Sequence, residues 1–231
     1  MKRHTSLPVL LFAFALLISL NHSIKAQEEA SESPISIGAD IMNRYVWRGL
    51  DYGASPSIQP YIEAGIGNFA LGAWGAYTTN LQAVQEMDLY LNYTIKDLVT
   101  VGVIDYFFPN EILGYDYYEY RKDSSKHVLE AFATFNGLEN IPLTATLGVN
   151  FYNDSNNSIY FELGYNFPFI DVFVGLGNGI YSSNTNFGVV NFGVSSSKKI
   201  QITEKFGLPI SASLITNPNA KQIHLVFGIS L

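Results

Sequence analysis

Cysteine is absent from this sequence of 231 residues, which excludes a disulfide framework, thiol chemistry and anchoring through a lipidated cysteine. Charged residues are scarce, at 14% of the chain, while Tyr and Phe are abundant, and this composition argues against disorder. Acids outnumber bases by 20 to 13, which disfavours nucleic acid as a partner. Past residue 26 no run of about 18 or more apolar residues occurs, so a helical membrane span is excluded.

The first 26 residues have the pattern of a secretory signal peptide. Two basic residues precede an apolar run at 7–20, and the tripeptide IKA at 24–26 offers a cleavage site. We expect this segment to be removed. Residues 27–34 are polar and acidic and are expected to form a flexible lead-in, so the folded domain is expected over residues 35–231.

Apolar and polar side chains alternate with a period of two through most of the remaining chain, and residues 143–152 show the pattern most cleanly. No helical periodicity intervenes. The pattern predicts an all-β fold, an antiparallel transmembrane β-barrel of about 12 strands. The predicted strands are 35–47, 57–66, 69–78, 86–95, 99–108, 127–136, 143–152, 158–167, 170–177, 187–202, 208–215 and 222–231.

Two further patterns favour a barrel in lipid over a soluble sandwich or lipocalin-like barrel, whose apolar rows would face inward. Connections are short at 67–68, 96–97 and 168–169 and longer at 49–56, 79–85, 109–126 and 178–185, as in barrels with short periplasmic turns and longer outer loops. Aromatic residues of the apolar rows lie at strand ends, where a membrane interface favours them. The predicted girdle residues are Tyr45, Trp47, Phe69, Tyr77, Tyr93, Phe107, Phe135, Phe151 and Phe167.

Charged residues occupy the polar rows, which a membrane barrel turns toward its lumen. The predicted lumen-facing charges, and so the predicted pore lining, are Asp40, Arg44, Arg48, Glu63, Glu86, Asp88, Glu130 and Glu162. Such rows filter solutes by charge and size, or their ion pairs brace the barrel shut. Hairpin register predicts that Asp40 or Glu63 neutralises Arg44, whereas Arg48 is free to meet solute. Glu130 and Glu162 have no basic neighbour by sequence and are expected to line a hydrated path.

Catalytic and metal-binding patterns are weak. After the signal segment the only histidines are His127 and His224, far apart in sequence and without a matching nucleophile motif. Glu86 and Asp88 share a strand face, but paired acids on a lumen wall are common without catalysis. We therefore expect no enzyme activity, no catalytic residue, no metal site and no cofactor.

The longest connection, residues 109–126, is rich in tyrosine and acidic residues. Three roles fit this composition. Its rings stack on sugars or a partner, it folds inward as a plug, or it packs on itself at the rim of the barrel.

The stretch NRYVWRG at residues 43–49, followed by PSIQP at 56–60, resembles the TorF-type porins, a family also known as the Gcw_chp conserved hypothetical proteins. Two later blocks, GAWG at 72–75 and EMDLY at 86–90, are similar to the next segments of that family. The resemblance is sharp over roughly residues 35–108 and diffuse afterwards. It implies an outer-membrane barrel with a transport role, and it brings no catalytic residue and no defined substrate. One departure is Leu231, where many outer-membrane barrels end in Phe.

These observations lead us to expect a bacterial outer-membrane porin that passes small solutes. Six predicted lumen acids against two bases suggest a preference for cations or neutral molecules. The alternative is a closed barrel with a structural or surface-interaction role carried by its outer loops. The expected partners are outer-membrane lipid, small solutes and the barrel-assembly machinery.

Overall fold

The structure is a computed structural model that describes residues 34–109, 116–122 and 124–231. The predicted signal peptide and all of the predicted lead-in except Pro34 lie outside the described residues. No helix within the described ranges is long and apolar enough to cross a membrane.

The strands, in chain order, are β1 (Ile35–Met42), β2 (Val46–Trp47), β3 (Leu50–Asp51), β4 (Ser57–Ile66), β5 (Phe69–Thr78), β6 (Glu86–Ile95), β7 (Val99–Phe107), β8 (His127–Phe135), β9 (Leu143–Tyr152), β10 (Ile159–Asn166), β11 (Asp171–Gly179), β12 (Thr185–Gln201), β13 (Gly207–Asn217) and β14 (Gln222–Ser230). All except β2 and β3 join one closed antiparallel barrel, in which β1 pairs with both β4 and β14. The predicted all-β fold and the predicted number of barrel strands are therefore confirmed.

Side chains along the barrel strands alternate between the outer surface and the interior. On β6 every second side chain from Glu86 to Thr94 is buried, and most of the apolar residues between them are exposed. The outer rows are apolar around the barrel, with Ile37 73% exposed and Leu225 67% exposed. The interior holds charged, amide and hydroxyl side chains. This polarity is the reverse of a soluble protein's and is the arrangement that a barrel in lipid requires.

Two kinds of connection define the two ends of the barrel. At the short-turn end, tight links such as residues 67–68 and 96–98 join neighbouring strands through positive-φ backbone. At the long-loop end lie the connections at 43–56, 79–85 and 108–126. Short and long connections alternate as predicted from β1 to β8, whereas the connections after β8 are four to seven residues long at both ends.

The first barrel strand is shorter than the predicted strand 35–47, because β1 ends at Met42. The side-chain amide of Asn43 bonds to the backbone of β14 at 3.2 and 2.8 Å and so replaces the next step of the β1–β14 ladder. The chain then turns into the lumen, where β2 and β3 pair. We call residues 43–56 the inner hairpin.

The inner hairpin packs against opposite walls of the barrel. Val46 joins an apolar cluster contributed by β1, β11, β13 and β14. Trp47 packs against a second cluster on β5 to β8, and together with Leu50 it packs against a third around Tyr160 and Tyr181. The hairpin therefore fills the lumen toward the long-loop end.

Candidate functional site

The tip of the inner hairpin is a two-residue turn, Arg48-Gly49, between the paired residues Trp47 and Leu50. Both turn residues have positive φ, 49° and 79°, as a two-residue hairpin turn of the primed type requires. A Cβ on Gly49 would lie 2.0 Å from the carbonyl oxygen of Val190, so the tip sits directly against the backbone of β12. Glycine is required there for space and for conformation.

The turn places Arg48 in the middle of the lumen, where it pairs with Glu130 of β8. Its two terminal nitrogens each bond one carboxylate oxygen, the second at 2.8 Å, which is the bidentate geometry that suits a guanidinium. Arg48 also donates to the hydroxyl of Tyr181, and the hydroxyls of Tyr181 and Tyr106 donate to Glu130 at 3.2 Å. Arg48 is 7% exposed and Glu130 0% exposed, so the pair is closed off from bulk water.

Three aromatic rings surround the Arg48 guanidinium. Its central carbon lies 4.2 Å from the ring centre of Trp47, 4.4 Å from that of Tyr160 and 5.0 Å from that of Tyr181. Cation–π attraction of this kind is strongest where water is excluded. We call Glu130, Tyr106, Tyr160 and Tyr181, all contributed by the barrel wall and the loop after β11, the guanidinium pocket.

Two further buried acids of the wall bond to tyrosine hydroxyls near the hairpin. Tyr45, at the root of the hairpin, donates to Glu86 at 2.7 Å. Tyr160 donates to Glu162, which also accepts from Asn191 at 2.8 Å. The first bond ties the hairpin to the wall, whereas the second group of bonds lies within the wall.

A third acid, Glu63, lies on β4. It accepts a hydrogen bond from Tyr90 at 3.0 Å. The ring of Tyr90 crosses Gly72, where a Cβ would lie 2.2 Å from the hydroxyl. Glycine on one strand thus makes room for the large inward side chain of the next.

The outer part of the hairpin carries its own ion pair. Arg44 bonds to Asp51, which also accepts backbone hydrogen bonds from Gly53 and Ala54. Asp51 lies 4.0 Å from Nδ1 of His224 on β14. The prediction that Asp40 or Glu63 neutralises Arg44 is wrong, because the chain leaves the barrel wall before Arg44.

Several other site predictions are corrected by the inner hairpin. Tyr45 and Trp47 are not girdle residues, because both side chains lie inside the lumen. Arg48 does not meet solute, and Glu130 does have a basic partner, brought to it from 82 positions away in sequence.

The other predicted lumen charges lie on inward rows of the wall. Asp40 is half-buried on β1, and Glu63, Glu86, Asp88 and Glu162 are buried. Asp40 belongs to a sector toward the short-turn end in which the inward residues of β1, β4, β13 and β14 are partly accessible; these residues are Gly38, Asp40, Tyr61, Ser211, Ser213 and Ser230.

Most predicted girdle residues lie on outward rows near strand ends. Those with exposed or half-buried side chains are Phe69, Tyr77, Tyr93, Phe135, Phe151 and Phe167. Phe107 also lies on an outward row, but it is only 2% exposed. The rings of Tyr117 and His127 cover it at 5.1 and 4.6 Å, so Phe107 is a contact beneath a loop rather than a lipid contact.

The described part of the long loop packs against the outer side of β7 and β8. His127 lies 2.7 Å from Asp105 through Nδ1 and 2.7 Å from the carbonyl oxygen of Tyr117 through Nε2. Tyr120 stacks on His127 at 4.0 Å and donates to Asp105 at 2.6 Å. Three roles fitted the composition of this loop. The described residues fit the third, in which the loop packs at the rim of the barrel.

Asp51, Tyr181 and Asn191 are among the lumen residues that sequence reasoning missed. Each lies in the inner hairpin, in a loop or after a strand irregularity, where strict alternation no longer assigns a face. The Arg-Gly pair was an available turn signal, because glycine favours such positions. Among the described residues, no group of three or more histidine or acidic side chains is arranged to hold a metal ion.

Comparison with known families gives a match over residues 26–220 to the model of Gcw_chp, a bacterial protein family of unknown function. The chain belongs to this family. For this Gcw_chp protein, a comparison with curated proteins gives no match. Two engineered variants of the Rh. blastica porin superpose with TM-scores of 0.42 and 0.40 at 10% sequence identity. Each alignment covers 76% of the Gcw_chp chain and 55% of the porin chain, so the protein spans little more than half the length of those porins.

Proposed function

We propose that this protein is a porin-like barrel of the bacterial outer membrane, of the TorF type, that is closed at rest by its inner hairpin. Small solutes pass when the hairpin leaves the lumen. The observation that carries the proposal is a barrel of reversed polarity whose lumen is filled by a short hairpin rather than by the wall alone. The proposed role is passive passage and involves no catalysis.

Support for the membrane location comes from the outer surface. Apolar side chains cover it on all sides, and in water such a continuous surface would drive association. Exposed aromatic residues, among them Phe69, Tyr93 and Phe167, lie next to the short turns, where they fit an interfacial girdle. Outer-membrane lipid and the barrel-assembly machinery remain the proposed partners.

Support for solute selection comes from the charges of the wall. With the hairpin displaced, Glu130 loses Arg48, and the wall then presents Glu63, Glu86, Asp88 and Glu162 as well. A confined aqueous path with this excess of acids has a negative potential. We therefore propose that cations and neutral molecules pass more readily than anions.

The second candidate is a barrel that stays closed and acts through its outer surface. It is favoured by the depth of burial in the lumen and by Tyr118 of the long loop, which is 86% exposed. In this case the inner hairpin is a structural brace and the loops carry the contacts.

Planar-bilayer conductance separates the two candidates. The test compares the parent with a variant in which residues 44–55 are replaced by a short Gly/Ser linker, after both are shown to fractionate with outer membranes and to give a heat-modifiable band. We expect rare or no currents from the parent and stable, cation-preferring currents from the variant. A folded variant without current would contradict the porin proposal and favour the closed barrel. Arg44→Ala, which alters the hairpin outside the guanidinium pocket, is the matched control and should stay closed.

A further inference from the structure

We propose that the guanidinium pocket is a binding site for planar organic cations, which compete with Arg48 and so release the inner hairpin. Arg48 is in this view an internal ligand that occupies the site at rest. The inference rests on the proposed closed barrel and adds to it a ligand class, guanidinium and amidinium compounds, together with a mechanism of opening.

The pocket is complete without the hairpin. Glu130 stands on β8, Tyr106 on β7 and Tyr160 on β10, and Tyr181 follows β11. Among the described residues whose rings or hydrogen-bonding groups contact the guanidinium, Trp47 is the one that comes from the hairpin itself. Withdrawal of the hairpin therefore leaves one carboxylate, three hydroxyls and two aromatic faces in place.

The chemistry of the pocket selects a planar cation. Both oxygens of Glu130 bond nitrogens of one guanidinium, a geometry that a point charge such as sodium or ammonium cannot reproduce. The rings of Tyr160 and Tyr181 favour a delocalised cation that stacks on them. Glu162 bonds Tyr160, so a second carboxylate reinforces the demand for positive charge.

The wall also fixes the position of the carboxylate. Gly148 on β9 lies beside Glu130, and a Cβ there would stand 2.8 Å from all three atoms of the carboxyl group. Any larger residue would displace the acid from the pocket. The glycine thus holds a place open for the carboxylate that binds the cation.

A free cation can replace Arg48 only if the other contacts that hold the hairpin tip are weak. The β2–β3 sheet contains two residue pairs, Val46 with Asp51 and Trp47 with Leu50. Arg48 supplies the one ion pair between the hairpin tip and the wall among the residues that the structure describes. A soluble cation that takes its place removes that link and leaves apolar contacts alone to hold the tip.

Chemical rescue of Arg48→Ala tests the site. Purified parent and variant are heated in detergent with methylguanidinium chloride, with tetramethylammonium chloride at the same concentration, or with sodium chloride, and the folded fraction is read from the heat-modifiable band. The variant should melt below the parent, and methylguanidinium at about tenfold above its Kd should raise the melting temperature of the variant by about 3–6 °C. The other two salts should have no such effect.

Arg44→Ala is the matched control, since it removes a hairpin arginine that does not touch the pocket, and methylguanidinium should not rescue it. The double variant Arg48→Ala with Glu130→Gln removes the carboxylate and should also lose the rescue. Where Arg48→Ala does not fold without a cation, the yield of folded band in each salt gives the same comparison. Equal melting temperatures or yields in all three salts would overturn the proposal.

This outcome is separate from that of the conductance test. If the linker variant conducts but methylguanidinium rescues nothing, the porin proposal is supported and the proposed ligand site is contradicted. If methylguanidinium rescues Arg48→Ala while the linker variant passes no current, the pocket is supported as a cation site in a closed barrel. Its proposed role in opening is then contradicted.

Discussion

The barrel wall and the inner hairpin are held in place by different forces. Neighbouring wall strands share long ladders, ten residue pairs between β12 and β13 for example, whereas β2 and β3 share two pairs. The hairpin is fixed by its side chains instead: an ion pair, tyrosine–carboxylate bonds and aromatic contacts. A hairpin of this size is not stable alone, so it depends on its contacts with the wall.

This difference implies two separable layers of stability. Removal of hairpin contacts should release the hairpin and leave the pairing of the barrel strands intact. Damage to the wall should instead unfold both. The following predictions test this division, beginning with the largest expected effect.

Glu130→Ala should have the largest effect on the hairpin. It leaves Arg48 buried without its partner, and breaking a buried ion pair costs about 3–5 kcal/mol. The hairpin escapes that cost by leaving the lumen. Because the parent contains no cysteine, a single Val46→Cys substitution reports the release through its reaction with a small thiol reagent. We expect the reaction to become at least about a hundredfold faster. Glu162→Ala, which removes a buried acid that does not bond Arg48, should accelerate it much less.

Leu147→Arg should have the largest effect on the wall. Leu147 lies on an outward row of β9 and is 44% exposed, so arginine there would face lipid at a cost of about 2–4 kcal/mol. Denaturant unfolding in lipid vesicles measures the loss. Leu147→Phe keeps an apolar group at the same place and should change little. An arginine tolerated as well as phenylalanine would place this face in water and contradict the membrane location.

Substitution of one turn glycine in the inner hairpin and one in the wall compares the stability of these two parts. Gly49→Ala combines positive φ with a clash against the Val190 carbonyl oxygen, for a loss of about 1–3 kcal/mol. Gly67→Ala, in a short turn of the wall, has positive φ but nothing within 4 Å, so only backbone strain of about 1 kcal/mol applies. In the Val46→Cys background, Gly49→Ala should speed the reaction with the thiol reagent, whereas Gly67→Ala should not. Equal reaction rates in both variants would argue against a tightly seated tip.

The smallest effect is expected at the loop between β9 and β10. Burial raises the pKa of Asp154, but hydrogen bonds from Ser158, Asn150 and the Asn156 backbone outweigh it, so the pKa is lowered overall. A lowered pKa stabilises the fold above the unfolded value of about 3.9, and this stabilisation is lost as the pH falls through the folded value. Asp154 is only partly buried, so solvent screening should keep the effect below about 1 kcal/mol. Melting curves of the parent and Asp154→Asn should converge as the pH falls below about 4, and curves that diverge there would contradict the assignment.

Much of the wall could be predicted from the sequence because a barrel with an apolar outer surface and a polar interior imposes one rule on every strand. The predicted bounds 57–66, 69–78, 86–95 and 143–152 coincide with β4, β5, β6 and β9. At these strands an apolar outer surface and a polar interior select alternate residues. No long-range information was needed.

The inner hairpin escaped prediction for two physical reasons. Alternation continues past Met42, so nothing in the period marks the point at which β1 ends. The ion pair from Arg48 to Glu130 then depends on the way the closed barrel brings β8 opposite the hairpin, which neither local spacing nor hairpin register determines. The prediction that Phe107 is a girdle residue was wrong for a similar reason, because a loop covers its side chain.

Hydrogen–deuterium exchange of the reconstituted protein tests the separation of hairpin and wall most directly. Residues 46–53 are buried or half-buried in the lumen, yet we predict that their amides exchange through local opening, at a lower free energy than the amides of β9 and β10. Arg48→Ala should speed the hairpin amides, and these should still exchange well before the amides of β9 and β10. Hairpin amides that exchange only as slowly as the wall, through global unfolding, would contradict the account of a hairpin that can leave an intact barrel.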